Sequence, residues 1–421
     1  MEPWIALAIF VVTYGAIASD RINRTLAALL GAVAVILLGI VTQEAGFDAV
    51  DWNVIFLLFG MMVIAGVLRR TGVFGWLAVR TVRVARGEPL AIFLLLAGIT
   101  ALLSAFLDNV TTIVLLVPVT LYIATTLRLS PIPFVLAEVL ASNIGGTATL
   151  IGDPPNILIG SAAGLTFVDF LLNLGPVAVL IFVVFAVAMA IVFRRQMTVA
   201  PEVREAVLAI DDSEFISDHR LLRLGLVVLA LTIAGFLLAS VIHQQPATIA
   251  VLGAAVLLLV ARLEPEDVIR EVDWSTLLFF VGLFVLVEGL VATGVIAALG
   301  TGLAEITGGD QAVTTLGLLW VSGIASALVD NIPYTATMIP VVQQLGTSGL
   351  STEPLWWALA LGACLGGNAT IIGASANVVA ANAVARAGHP ISFGRFLRIG
   401  GMVAMLSLLI SSAYVWARYL V

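Results

Sequence analysis

The segment Ser142-Asn143-Ile144-Gly145-Gly146-Thr147-Ala148-Thr149-Leu150-Ile151-Gly152-Asp153-Pro154-Pro155-Asn156 lies between two apolar runs, yet it cannot continue either one as a helix. Pro154 and Pro155 remove backbone donors and clash with the preceding turn, while Gly145, Gly146 and Gly152 allow dihedrals that other residues resist. A polar, helix-breaking stretch at membrane depth survives only where protein buries it or where it lines a cavity. The pattern returns as Gly366-Gly367-Asn368-Ala369-Thr370-Ile371-Ile372-Gly373-Ala374-Ser375-Ala376-Asn377. Interrupted apolar helices at matching places in two halves of a chain point to a membrane binding site for a solute.

The composition puts these segments at membrane depth. Of 421 residues, 61% are hydrophobic and 11% charged, against roughly 25% charged in a soluble domain. Cys364 is the only cysteine, which excludes an internal disulfide framework and a cysteine-cluster metal site. Met1-Glu2-Pro3-Trp4 lacks the basic start of a cleavable signal, so the first apolar segment is expected to stay as a helix.

Apolar runs near 3–19, 26–42, 52–69, 175–193, 221–240, 247–262, 274–292 and 397–419 are long enough to span, and the interrupted segments near 131–163 and 355–385 add two more. The stretches near 89–127 and 312–346 each carry a polar tip midway, at Asp108-Asn109 and Asp330-Asn331, and read as re-entrant hairpins. On this count 18 arginines fall on one side and only Arg418 on the other. The positive-inside rule makes the rich side cytoplasmic and places both termini outside.

The halves repeat at an offset of 222: Val50-Asp51-Trp52 matches Val272-Asp273-Trp274, Gly60 matches Gly282, and Asp108-Asn109 matches Asp330-Asn331. The broken-helix motif matches at 221. Each half holds an odd number of spans, so the second copy is expected upside down. The expected fold is an all-α polytopic membrane protein of about ten transmembrane helices in two inverted repeats, each with a re-entrant hairpin and a broken helix. Residues 1–195 form the first repeat and 220–421 the second. The stretch 196–219, with Glu202, Glu205, Asp211, Asp212 and Glu214, is expected to be a solvated cytoplasmic connection.

Tips and breaks supply a pseudo-symmetric polar cluster. A buried carboxylate needs a partner, a cation or a proton, and no Arg or His lies in the four motif segments to pair with Asp108 or Asp330. A bound cation, a proton, or backbone N–H groups of the following helix remain open. Asp153 has no acidic mate, because Ala374 stands opposite. Glu138 and Glu288 also fall inside apolar spans, opposite Leu359 and Gly66, as either proton relays or neutral packing residues. Asn109, Thr111, Asn143, Thr147, Thr149, Asn156, Asn331, Thr335, Asn368, Thr370, Ser375 and Asn377 are neutral donors and acceptors suited to a solute or to freed backbone groups. The pairs Gly145-Gly146 and Gly366-Gly367 serve the same site or close helix packing. Cys364 reads as a small core residue, and His219, His243 and His389 fall in loops or the linker.

At these residues the chain resembles the ion transporter superfamily of ArsB arsenite permeases, NhaD sodium/proton antiporters, divalent anion:sodium symporters and the melanosomal P protein, with the ArsB and P-protein branches nearest. Four motifs carry the likeness: Ser104-Ala105-Phe106-Leu107-Asp108-Asn109-Val110-Thr111-Thr112, Ile151 to Asn156, Asp330 to Pro340, and Gly362 to Val378. The resemblance implies a scaffold plus a mobile transport domain, often dimeric, with tips and breaks holding the substrate. Where the dicarboxylate symporters have a tip serine, this chain has Asp108 and Asp330, so a bare dianion would be repelled.

The leading expectation is therefore proton-coupled efflux of arsenite or antimonite, neutral near pH 7 as the hydroxide. Asp108, Asp153 and Asp330 would couple protons or cations. Sodium/proton antiport comes next, then a chloride, dicarboxylate or other anion pathway. An intramembrane hydrolase is disfavoured because no His lies at membrane depth. The resemblance implies a plasma-membrane location, no cofactor beyond transported protons or Na⁺, and an ATPase subunit in some members. No nucleic-acid partner is expected.

Overall fold

The computed structural model describes residues 2–19, 21–210 and 215–421, and all regular structure among them is helical. The first half runs through α1 (Glu2–Ala18), α2 (Arg24–Leu37), α3 (Gln43–Asp48), α4 (Trp52–Arg70) and α5 (Val73–Val84). It continues through α6 (Pro89–Ser104), α7 (Asn109–Thr126), α8 (Ile132–Gly146), α9 (Pro154–Ala163), α10 (Phe167–Asn173) and α11 (Gly175–Phe193). After α12 (Pro201–Leu208), the second half has α13 (His219–Ile242), α14 (Pro246–Ala261), α15 (Pro265–Ile269), α16 (Trp274–Ala292) and α17 (Val295–Ile306). It ends with α18 (Gln311–Leu328), α19 (Asn331–Thr347), α20 (Thr352–Gly366), α21 (Ser375–Arg386) and α22 (Phe393–Val415).

Both predicted hairpins are present, as α6–α7 and α18–α19, and both interrupted segments break where expected, between α8 and α9 and between α20 and α21. Seven helices are long and apolar enough to cross a membrane, or up to eight if a bent pair counts as one span. Other expected spans are shorter: α2 has 14 residues and α14 has 16, below the ~20 of an upright span.

Helix starts repeat as well as residues. Asp51 caps α4 by accepting from Asn53 N at 3.0 Å, and Asp273 caps α16 by accepting from Thr276 N at 3.1 Å. The central packing is crossed between halves. At Gly60 on α4, an added Cβ would lie 2.6 Å from the Ala250 carbonyl carbon on α14; at Gly282 on α16, one would lie 2.8 Å from that of Ala28 on α2. The offset of 222 turns one contact into the other. Glycine is needed here because the backbones touch.

One expectation is corrected, and two elements appear that the sequence reading did not assign. Residues 73–84 and 295–306 form the amphipathic helices α5 and α17, each starting at a left-handed glycine, Gly72 (φ 77°) and Gly294 (φ 76°). At 12 residues each, they fail a test for membrane-length apolar runs but satisfy a period of 3.6. The connection 196–219 is also more than a solvated tether. It contains α12, where Val207 is buried, Arg204 pairs with Glu88 at 3.1 Å, and Arg204 Nε donates to the Arg86 carbonyl. Farther on, Ser217 N donates to the Thr71 carbonyl at 3.0 Å, so the connection docks across the α4–α6 turns. Asp211, Asp212 and Glu214 lie outside the described residues.

The crossed glycine contacts yield a stability prediction. Gly60→Val or Gly282→Val should cost about 1–3 kcal/mol by overpacking, seen as a lowered melting temperature in detergent. Gly302→Ala on α17, with nothing within 4 Å of the new Cβ, should be neutral or slightly stabilising.

Candidate functional site at the hairpin tips and helix breaks

Each break is held by an asparagine that satisfies the carbonyls it frees. Asn156 Nδ2 donates to the carbonyls of Thr147 (3.1 Å) and Thr149 (2.8 Å). Asn377 Nδ2 does the same for Gly367 (2.8 Å) and Thr370 (2.7 Å). Thr149 and Thr370 then tie the breaks to the hairpins, donating to the carbonyls of Ala105 and Ala327 respectively. The glycine pairs let this happen. A Cβ at Gly145 would run into the Ala101 carbonyl oxygen, and one at Gly366 into that of Gly323, so the broken helices press directly on α6 and α18. Unpaired carbonyls in such an interior would cost several kcal/mol each.

The two breaks meet through their amides. Asn109 Nδ2 donates to Asn143 Oδ1 at 3.0 Å, and Asn143 Nδ2 donates to Asn368 Oδ1 (2.8 Å) and Asn377 Oδ1 (3.1 Å). Asn368 closes the chain on the Leu140 carbonyl. The mirror of the Asn143–Asn377 contact is Cys364 Sγ donating to Asn156 Oδ1 at 3.5 Å, whereas Asn331, the mate of Asn109, donates Nδ2 to Asp153 Oδ1 at 3.2 Å. Asn143, Asp153, Asn156, Cys364, Asn368 and Asn377 are all fully buried. Asp153 precedes α9 without a side-chain cap hydrogen bond, and its carboxylate instead accepts from the Asn331 amide. Cys364 is a packed donor, as expected of a core residue.

Both tip aspartates cap their hairpin helices. Asp108 accepts from Thr111 N at 2.8 Å, and Asp330 from Ile332 N at 3.0 Å. Asp330 also has a cation partner, which the motif segments alone could not supply. Arg24, at the first turn of α2, places Nη1 3.3 Å from Asp330 Oδ2. In the sequence it is one flanking arginine among others, and no local pattern distinguishes it from Arg21. Ser375 Oγ donates to the same carboxylate oxygen at 2.6 Å.

The remaining candidates divide. Thr147 and Thr335 donate back to the carbonyls of Asn143 (2.7 Å) and Asn331 (2.8 Å), so they support their own helices. Glu138 is fully buried on α8; Thr120 donates to Oε1 at 2.5 Å, while Oε2 has no partner. Ser104 Oγ, Asn109 Oδ1 and Thr112 Oγ1, around the first tip, are likewise buried and unpartnered. Glu288 is half-buried, roughly 20 Å along α16 from Asp273, and takes no part in this network. Sequence reasoning also missed Tyr14, whose hydroxyl donates to the Pro333 carbonyl and shares a hydrogen bond with Thr337 (2.6 Å), holding the second hairpin against α1. No group of three or more His, Cys, Asp or Glu among the described residues is arranged to hold a metal ion.

Removing the amide at the crossing is a direct check. Asn143→Ala strands the Asn109 donor and the Asn368 and Asn377 acceptors, and should cost about 1–3 kcal/mol. A thermal melt of the purified protein reads it.

The comparisons with known proteins agree with this architecture. Residues 14–362 match the family described as CitMHS, citrate transporter. The chain is 46% identical to the 46 kDa membrane protein of Mycobacterium leprae and 47% identical to an uncharacterised transporter of Mycobacterium tuberculosis, with 99% of each chain covered. It is 34% identical to the P protein of Mus musculus over 99% of this chain, which spans 60% of that longer protein. The solved YdaH transporter of Alcanivorax borkumensis has the same fold, with a TM-score of 0.62 at 17% identity, covering 98% of this chain and 97% of that one. The chain is a membrane transporter, not an enzyme, and it belongs to the CitMHS citrate transporter family.

Proposed function

We propose that the protein is a secondary active transporter working by alternating access, with 1–195 and 220–421 as inverted repeats and 196–219 as the cytoplasmic connection. The crossed contacts of Gly60 and Gly282 support a two-fold relation between the halves. In this reading α2, α4, α14 and α16 form the scaffold. The hairpins and broken helices move as the transport unit in the plasma membrane, with both termini outside.

The observation that carries the coupling mechanism is the charge around the amide cluster. Asp108 and Asp330 each lie within electrostatic reach of Asp153, and the Arg24 guanidinium hydrogen-bonds to one of the three aspartates. A site this acidic favours a proton, a cation or a neutral solute over a bare anion. We assign proton or cation coupling to the three aspartates and solute contact to the Asn109–Asn143–Asn368–Asn377 chain. The orphan oxygens of Ser104, Asn109 and Thr112 suit a hard cation such as Na⁺. Neutral arsenite or antimonite hydroxide, exchanged for protons, fits such a lining.

The family match favours a second reading. Citrate, or a similar anion, would enter with its charge offset by a bound cation, so that the aspartates face a less negative complex.

Proton flux into proteoliposomes, read with an enclosed pH dye, tests both. Arsenite, NaCl, citrate and citrate with MgCl₂ are added in turn to wild type, Asp153→Asn and Asp330→Asn. An arsenite-driven pH change, lost in both variants to the level of empty vesicles, supports metalloid/proton exchange. A response to citrate only with MgCl₂ supports the second reading, and silence to all four additions overturns both.

A further inference from the structure

Two cavities lie where the scaffold helices face the moving elements. One, of about 290 Å³, is lined by Ala18, Arg24, Asp273, Asp330 and Val378. The other, of about 410 Å³, is lined by Ser240, Pro246, Val54, Leu57 and Ile157. The repeat offset relates them: Ala18 to Ser240, Arg24 to Pro246, and Val378 to Ile157. They are therefore the same site on opposite faces of the molecule, yet they are not equally occupied. Val110 and Asp330, from the two hairpin tips, both line the Arg24 cavity, whereas neither tip reaches the Pro246 cavity. The moving elements have been drawn toward the Arg24 face. Burial agrees: Val378 is half-buried, while its mate Ile157 is only 2% exposed.

The chemistry of the two faces differs just as much. Arg24 Nη1 reaches Asp330 and Ser375 Oγ, and its Nη2 lies 3.3 Å from Thr276 Oγ1, which in turn donates to Asp273 Oδ2 at 2.6 Å. The guanidinium also covers the Phe279 ring, 5.4 Å from its centroid. One scaffold side chain thus joins α2, α16, the second tip and the start of α21. At the mate positions stand Pro246 for Arg24, Val54 for Thr276, Leu57 for Phe279 and Pro154 for Ser375. Only the acids are kept, Asp330 as Asp108 and Asp273 as Asp51. On the opposite face an acid arriving at the equivalent position would find none of these donors.

We propose that the Arg24–Asp330–Ser375 network is a one-sided latch that sets the resting state of the transport cycle on the Arg24 face. The partners belong to different bodies, a scaffold helix on one side and a hairpin tip and broken helix on the other, so the pair separates when they slide. The bond is a partly buried, charge-assisted pair, stronger than an exposed one. With no counterpart at the mate positions, its contribution is not cancelled by a matching pair in the opposite state. A two-state equilibrium then leans toward the latched face. The guanidinium also neutralises Asp330 while the latch is closed. This inference rests on the alternating-access reading, and its test separates the two.

Val378→Cys and Ile157→Cys are made singly as reporters; the native Cys364 is fully buried. Labelling by a membrane-impermeant maleimide is followed in vesicles of each orientation, in wild type and with Arg24→Gln, Asp330→Asn, both together, or Arg24→Lys. The latch predicts that either single change slows labelling of the Val378→Cys reporter several-fold and speeds labelling of the Ile157→Cys reporter by a similar factor. The double variant should go no further than either single one, and Arg24→Lys should stay near wild type. Unchanged rates at both reporters, or effects that add, overturn the latch but leave alternating access standing. Rates that rise together at both reporters mean loosening without exchange of faces, which overturns the latch and alternating access alike. Should Arg24→Gln fail to elute as a single species in detergent, Asp330→Asn and Arg24→Lys carry the same comparison.

Discussion

Buried backbone carbonyls at two helix breaks are the constraint on which the rest of this protein depends. Opening a helix inside a low-dielectric interior exposes polar groups that water cannot reach, and each must find a partner within the protein. Asn156 and Asn377 are those partners, each with one amide spread over several carbonyls. Once the breaks are stitched, Thr149 and Thr370 fasten them to the hairpins. The glycines at 145 and 366 follow from the same need, because the hydrogen bonds form only where backbones touch. Asparagines, threonines and glycines are thus one device rather than separate features.

The device leaves a controlled excess of polar groups. The Asn143 amide links the two halves, and Asp153 is fully buried with the Asn331 amide as its hydrogen-bond donor. A fully buried carboxylate is costly without a strong partner. Its retention, beside tip aspartates that already serve as helix caps, concentrates negative charge where hydrocarbon-like packing would be more stable. Such an arrangement is useful for binding cations or protons and poor for stability alone. The unpartnered oxygens of Ser104, Asn109, Thr112 and Glu138 belong to the same half, so acceptors are in surplus on that side.

Near-symmetry makes the departures informative. The halves share caps, breaks, crossed glycines and tip acids, so an equal energy for the two faces would be the default. Arg24, with Pro246 at its mate position, breaks that equality, as does Asp153, with Ala374 opposite. A repeated scaffold gives the two states similar packing, and a few unpaired polar residues then decide their balance. Packing is spread over hundreds of small contacts, whereas a single ion pair is concentrated and directional.

The sequence by itself determined the all-helical membrane class, the duplicated plan, both hairpins and both breaks. These follow from local chemistry: long apolar runs, prolines and glycines that stop helices, and polar tips at equal offsets. It also marked Asn143, Asn156, Asn368 and Asn377 among the neutral polar residues of the two breaks, with Asn156 and Asn377 at matching places. Only the tertiary structure decided how that group is wired, with Asn143 as the crossing and Cys364 in the matching place. The amphipathic α5 and α17 escaped a reading built on membrane-length apolar runs, since each is only 12 residues long. The docked connection escaped it because charged residues look solvated until Arg204 finds Glu88. Arg24 was legible only as one cation among many, 306 residues away from Asp330. Local pattern fixes where a chain must bend and which groups it must satisfy; a pairing between distant segments depends on packing, which no short window of sequence contains.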